Sequence, residues 1–449
     1  MEEKSRAVRS VESEETFNDY EFSPVPDEKK NTWKAQVFVW LGVGFCLTAF
    51  TLGGQIALGL GFWPTVAAVL VGGIILTVVG ALVGAIGVRS GLSSTVSSRF
   101  TFGTYGAIIF GLINALCNFG WFGYQCTFFG SSITSMFKLA AGIEVNLTAC
   151  IVIGGLLMMI TAIVGYKGIK VLSQFGVPLL FLLVIGGVIK TFTVVPAGEI
   201  VSAPPVEPIS FATAVSLMVG SFIVGVSIVQ DFTRYSKTVK DSSIGHRFGL
   251  YHWLSRSSDL RCNLCLRLPV NDLTNTLINV LGFGYIAAFI IVIATWTTND
   301  NNLYQSVLGL TNACHGIIKL PRWVTTAICG VIATILGAIG MIDWLVPFLN
   351  ILCVVVPPIT GAMLADFYIL KNADNYRFEL WIDPNVRPDT SIGAIVGCLV
   401  GLCMNEPPVG FGVPFMVRLS TIVPSALVAM ACSVVMVLIA NQFTAKKAA

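Results

Sequence analysis

The chain has 449 residues, of which 55% are hydrophobic and 11% charged, with a net charge of +3. A soluble domain carries roughly 25% charged residues, so the composition excludes an ordinary soluble protein and reads as a polytopic membrane protein. The small net charge gives no reason to expect nucleic acid as a partner, and the 12 cysteines, scattered through apolar segments, read as buried hydrophobes rather than a disulfide framework.

Residues 1–34 are charged and polar, lack the apolar stretch of a signal peptide, and predict a solvated cytoplasmic tail. Windows apolar and long enough to cross a bilayer follow at about 36–61, 64–88, 104–137, 147–166, 169–190, 209–230, 280–303, 323–341, 343–370, 391–404 and 420–441. The stretch 242–268 has the length of one more, which brings the expected count to about twelve. One transporter domain is therefore expected over 35–440, with a short tail at 442–449. Basic residues alternate between connections. Lys29, Lys30 and Lys34 precede the first span, Arg89 and Arg99 follow the second, Lys167 and Lys170 the fourth, and Arg234, Lys237 and Lys240 the sixth. Lys319 and Arg322 precede the ninth, Lys371 and Arg377 follow the tenth, and Lys446 and Lys447 end the chain. The positive-inside rule then places both termini in the cytoplasm, which requires an even number of spans.

Four segments carry glycines or polar residues where hydrocarbon offers no partner. The first span holds Gly42, Gly44, Gly53 and Gly54, and the sixth holds Gly220 and Gly225 around Ser221 and Phe222. Glycines let helices pack closely, but broken helices in matching positions of two five-helix halves point to an inverted-repeat transporter, with first and second repeats at about 35–190 and 208–370 and extra helices at about 391–441. In the third span Asn118, Trp121 and Gln125 share one helical face. A flat ring flanked by two amides suits a planar heterocycle with an amide-like edge, although amides also join helices. Phe222 could form the opposite wall. The stretch from Trp296 to Tyr304 sits on the end of the apolar run 281–294. It is either the place where a helix leaves the membrane or the lining of a cavity for an ion and a small polar solute.

Trp-Thr-Thr-Asn-Asp-Asn at 296–301, Gly-Trp-Phe-Gly at 120–123, Gly220-Ser-Phe222, Asp231-Phe-Thr-Arg234, and Pro357-Pro358 followed by Ala365-Asp366 resemble the nucleobase:cation symporter-1 family over about residues 33–440. The resemblance implies an all-α, LeuT-type fold of 5+5 inverted repeats plus two helices. It implies cation-coupled import of a nucleobase, cytosine first among them, by a multi-pass protein of the cell (inner) membrane, expected to work as a monomer in lipid. It would place the base between Trp121 and Phe222, with Asn118, Gln125, Ser221, Asn299 and Asn301 around it. A sodium ion would sit among the carbonyls of Gly42, Cys46 and Ala294 and the hydroxyls of Thr297 and Thr298, oxygen ligands suited to a hard cation. No cofactor is expected beyond this coupling ion, with a proton on Asp300 as the alternative. Gln125 is closer to the hydantoin and allantoin branch, which leaves allantoin, hydantoin, uracil, a purine or a thiamine-precursor pyrimidine as alternative substrates.

Residues 243–268 depart from this pattern. His246, Arg247, His252, Arg256, Asp259, Arg261 and Arg267 stand where the family has an apolar seventh helix. Each such charge costs roughly 2.5–3.5 kcal/mol at mid-membrane. His246, His252, Cys262 and Cys265 are spaced too irregularly for a zinc site. The stretch reads as one translated out of frame, and Pro407–Ser420 as a milder case. No Walker loop, H-E-x-x-H or Ser-His-Asp set supports an enzyme. A passive channel would need a continuous polar pore, whereas polarity here is confined to about four spans.

Overall fold

The computed structural model describes residues 20, 23–34, 36–37, 47–164, 166–244, 276–314, 321–376 and 386–448. Eleven long helices run through these residues, in register with the apolar windows. They are α1 (Leu47–Leu60), α2 (Phe62–Ser90), α3 (Ser94–Ala141), α4 (Leu147–Val164), α5 (Tyr166–Val194) and α6 (Phe211–Ser227). After them come α7 (Gly284–Cys314), α8 (Arg322–Ala338), α9 (Leu345–Leu364), α10 (Pro388–Cys403) and α11 (Ser425–Ala448). Short turns at Ala197–Val201, Gln230–Thr233 and Pro414–Ser420 join them. By length and composition α2, α3, α9 with its continuation to Ile369, and α11 can each cross a membrane alone. The polar run keeps the 31-residue α7 out of that group.

Three expectations change. The sixth span is not broken at its glycines: α6 is continuous from Phe211 to Ser227, and the helix gives way at Ile228 before resuming at Gln230–Thr233. Gly220 serves close packing instead, since a Cβ there would lie 2.6 Å from Cys353 Sγ and 2.7 Å from the Leu349 carbonyl on α9. In the first span Gly53 and Gly54 lie inside unbroken α1, while Gly42 and Gly44 fall outside the described residues. The N-terminal segment is docked rather than wholly solvated. Val25 is buried and its N–H donates to the Gly91 carbonyl, and the Asn31 N–H donates to Tyr235 O at 2.6 Å. At the other terminus α11 continues to Ala448, so 442–448 extends a helix. The charged stretch 245–275, with its two histidines and the Cys262/Cys265 pair, lies outside the described residues; the nine described cysteines are all free.

One end of the bundle is tied by buried polar groups. Asp231 accepts from the Ser94 N–H at 2.7 Å and its hydroxyl at 2.9 Å, placing a carboxylate at the start of α3 where free N–H groups and the helix dipole favour it. Arg99 donates twice to Asn312 Oδ1, at 3.0 and 2.7 Å, joining the start of α3 to the end of α7. Asp366 accepts from Arg387 at 2.6 Å, Asn372 at 2.7 Å and Tyr376 at 2.7 Å. Burial pushes the Tyr376 hydroxyl well above its usual range, so it remains a donor. Two of the family-like motifs, Asp231-Phe-Thr-Arg234 and Ala365-Asp366, are therefore used to fasten the bundle.

α3 and α7 form the central pair. They touch backbone to backbone, because a Cβ on Gly111 would lie 2.6 Å from Gly309 O and one on Gly309 would lie 2.6 Å from Gly111 O. Overpacking of this kind costs typically ~1–3 kcal/mol. Gly309→Ala is expected to lower the melting temperature of the detergent-purified protein by several degrees; an unchanged melting curve would show that the two helices can part there freely.

Candidate functional site

A cavity of about 90 Å³ lies between α3, α6 and α7. Counted as space open to the centres of water molecules, that is room for several waters or one small solute. α3 contributes Asn118, Trp121 and Gln125, one side of a helix. α6 and the turn after it contribute Ser221, Phe222, Val224, Gly225, Ile228 and Phe232. α7 contributes Thr298, Asn301, Asn302 and Gln305, which share the i, i+3, i+4, i+7 face. The polar run therefore lies in the middle of α7 and not where the helix leaves the membrane.

Packing behind the cavity fixes its aromatic walls. The Trp121 ring meets Phe348 of α9 at 5.3 Å and 75°, and Tyr124 at 6.3 Å and 89°. Gly120 makes the first contact possible, since a Cβ there would fall 2.5 Å from the Phe348 ring. Phe222 lies over Gly225, whose added Cβ would come within 3.0 Å of the ring. The glycines beside both aromatic residues thus seat rings.

The polar lining is only partly satisfied from within. Asn118 donates to Asn114 O and Oδ1, both at 2.8 Å, Asn301 to Thr297 O at 3.2 Å, and Ser221 to Met218 O at 2.7 Å. By contrast Gln125 Oε1 is buried without a hydrogen-bond partner among the described residues, and so are both amide atoms of Gln305. Buried amide atoms are normally paired; these unpaired ones belong to residues that line the cavity.

Of the seven residues that the sequence places around the base, six line the cavity: Asn118, Trp121, Gln125, Ser221, Phe222 and Asn301. Asn299 does not. Turned about 100° from Thr298 on the helix, it is fully buried, donates to the Phe122 carbonyl at 3.1 Å, and accepts from Asn302 at 3.2 Å. It joins α7 to α3 and braces a lining residue. Asn302 and Gln305 escaped the sequence reading, yet the helical repeat counted on from Thr298 reaches both.

The candidate ion ligands on α7 lie within one turn. Thr297 and Thr298 each donate to the Ala294 carbonyl at 2.9 Å. Thr298 lines the cavity and Thr297 is buried. Gly42 and Cys46 fall outside the described residues. An all-oxygen set without a carboxylate fits a monovalent hard cation, and no cluster of three His, Cys, Asp or Glu side chains occurs among the described residues. Asp300 faces away from the cavity and accepts from Thr161 of α4 at 2.9 Å.

The family model for permeases of cytosine/purines, uracil, thiamine and allantoin matches residues 24–423. The chain belongs to the nucleobase:cation symporter-1 family. It is 29% identical over 363 residues to the cytosine permease of Escherichia coli K12, covering 80% of this chain and 83% of that protein. With the allantoin permease of Bacillus subtilis it shares 26% over 429 residues, 84% of this chain and 85% of the relative. The closed, bromovinylhydantoin-bound structure of Mhp1, a transporter of the nucleobase-cation-symport-1 family, superposes with a TM-score of 0.78 at 18% identity over 95% of each chain. The LeuT-type fold is thereby shown, and the protein is a membrane permease of the nucleobase type, not an enzyme.

Proposed function

We propose that this permease imports cytosine, or a closely related planar amide-edged base, together with a monovalent cation, by alternating access and with both termini in the cytoplasm. The observation that carries the reading is the cavity lined by Trp121 and Phe222, with Gln125, whose amide oxygen has no partner among the described residues, in its wall. The rings supply stacking, and the amide supplies the hydrogen bonds a base edge needs. Asn118, Ser221, Asn301 and Asn302 complete the wall, and Ala294, Thr297 and Thr298, with Gly42 and Cys46, form the sodium site. The membrane supplies enough energy. One monovalent charge crossing ~100 mV releases about 2.3 kcal/mol, and a tenfold gradient adds about 1.4 kcal/mol. Together they support roughly 500-fold accumulation of a neutral base at one-to-one coupling.

Whole cells given radiolabelled cytosine against unlabelled uracil, allantoin, hydantoin and purines test the substrate. Cytosine should compete best and accumulate above its external level; mere equilibration would instead indicate a passive channel. Thr298→Ala tests the ion. Because the hydroxyl belongs to the cation site, the sodium concentration for half-maximal uptake should rise about tenfold, while cytosine affinity at saturating sodium changes less. The two ligands should raise each other's affinity by one common factor. Uptake indifferent to sodium at fixed pH would remove the sodium site.

A further inference from the structure

We infer that the Asp231–Ser94 pair is the latch of a gate at the tied end of the bundle: it holds the turn after α6 in place beside the cavity and opens when a solute leaves on that side. The inference rests on the proposed import of a base and names a step within it.

The turn belongs to the cavity and to the latch at once. α6 gives way at Ile228, and Ile228 and Phe232 line the cavity, while Asp231 between them is buried and accepts from the Ser94 N–H and hydroxyl. What Asp231 grips is a separate piece of α3. The backbone leaves helical geometry at Gly103, with φ 75° and ψ 170°, a combination that favours glycine, so residues 94–102 form a short helix of their own. Its sequence, Ser-Thr-Val-Ser-Ser-Arg-Phe-Thr-Phe, is polar, yet every residue except Phe100 is buried.

The two sides of the latch are held by different neighbours. The turn is bound to α2 and to the N-terminal segment: Thr233 donates to Gly84 O at 2.9 Å, Arg234 to the Tyr20 carbonyl at 2.6 Å, and the Asn31 N–H to Tyr235 O. The short helix is bound to α7 and to the start of α10. Arg99 donates to Asn312, and Arg387 donates its N–H to Phe102 O at 3.0 Å and its guanidinium to Phe100 O at 3.1 Å. Asp231 carries two hydrogen bonds across the seam between these groups. Around it, polar atoms are buried without hydrogen-bond partners among the described residues. They are both amide atoms of Gln230, beside Asp231, the hydroxyl of Ser97, one turn on from Ser94, and Oε1 of Gln36, whose Nε2 donates to Phe232 O. Buried polar groups are normally paired. The closed seam keeps these atoms dry, and an open one lets water reach them. The latch therefore works against hydration of the seam, the balance expected of an element with two arrangements.

Ser97→Cys places a thiol in the seam in place of a hydroxyl of similar size. In the detergent-purified full chain, labelling of that cysteine by a polar maleimide, read by mass spectrometry beside the native cysteines, should be slow. Asp231→Asn keeps the shape but loses the charge-assisted grip, and should speed labelling about tenfold with no solute present. Ser94→Ala removes one of the two donors and should speed it about threefold. Labelling of Cys353, buried on α9, should not change; a rise there marks general loosening by Asp231→Asn, and Ser94→Ala then carries the comparison. With the latch intact, cytosine and sodium added together should shift the rate at residue 97 at least about twofold, because the transport cycle opens the seam. Labelling that ignores the substitutions would overturn the latch. An unchanged rate in a protein that binds cytosine would reduce the pair to a static fastening and overturn the gate. A protein that binds no cytosine removes the import reading instead, and the solute-free labelling still decides whether Asp231 holds the seam shut.

Discussion

Trp121→Ala is expected to abolish saturable uptake of the base while the protein still reaches the membrane. Stacking of a base on an aromatic platform is worth about 1–3 kcal/mol, or roughly 5- to 150-fold in affinity. The effect should lie at the upper end, because the ring is held by Phe348 and Tyr124 and presents a fixed surface to the cavity. Trp121→Phe should retain partial affinity, because a smaller ring still stacks. The measurement is equilibrium binding of labelled cytosine to purified protein beside the yield of folded protein. Wild-type affinity in the alanine variant would refute the pocket assignment. A general loss of folded protein would show up in the yield and not as a selective loss of binding.

The helix inventory was legible because apolar windows of bilayer length have few alternatives in a chain this poor in charge. The face formed by Asn118, Trp121 and Gln125 was legible for the same kind of reason: the helical repeat groups residues without reference to anything else. What the repeat does not say is which neighbour a face meets. Asn299 and Asn302 are both amides in one polar run, yet one is used against the Phe122 carbonyl and the other lines the cavity. Only the position of α3 separates them. The glycines were ambiguous in a similar way. Close approach and helix interruption both call for a missing side chain, and Gly220 proves to be the first kind, with Cys353 and Leu349 against it, while the interruption falls at Ile228, which no composition rule marks. The docked Val25 and Asn31 were illegible because a backbone hydrogen bond to Gly91 or Tyr235 leaves no trace in residue type.

Restoring an apolar helix in place of residues 246–267 is expected to raise uptake well above that of the chain as written. The described ends of this stretch set the requirement. Asp231, just after α6, binds Ser94 at the start of α3, and Asn312, near the end of α7, binds Arg99 beside it. The chain therefore leaves α6 at the same end of the bundle at which α7 finishes, whereas α7 begins at Gly284, some 31 residues and about 46 Å of helix away. The described ends Ile244 and Thr276 therefore lie toward opposite ends of the bundle, and a helix crossing a membrane between such ends calls for about 20 predominantly apolar residues. As written, the stretch offers Arg247, Arg256, Arg261 and Arg267 against the single carboxylate Asp259. At roughly 2.5–3.5 kcal/mol per arginine at mid-membrane, the total is of the order of a whole protein's stability. The literal chain should thus insert and transport poorly, and a 20-residue leucine- and valine-rich replacement should recover uptake at least about tenfold. The gene offers a second check. Shifting the reading frame by one base near Gly245 and back near Asn271 should turn the charged stretch into an apolar run. If neither alternative frame is more hydrophobic, and the literal chain transports as fast as the repaired one, the arginines are native to this protein and are accommodated by partners of their own.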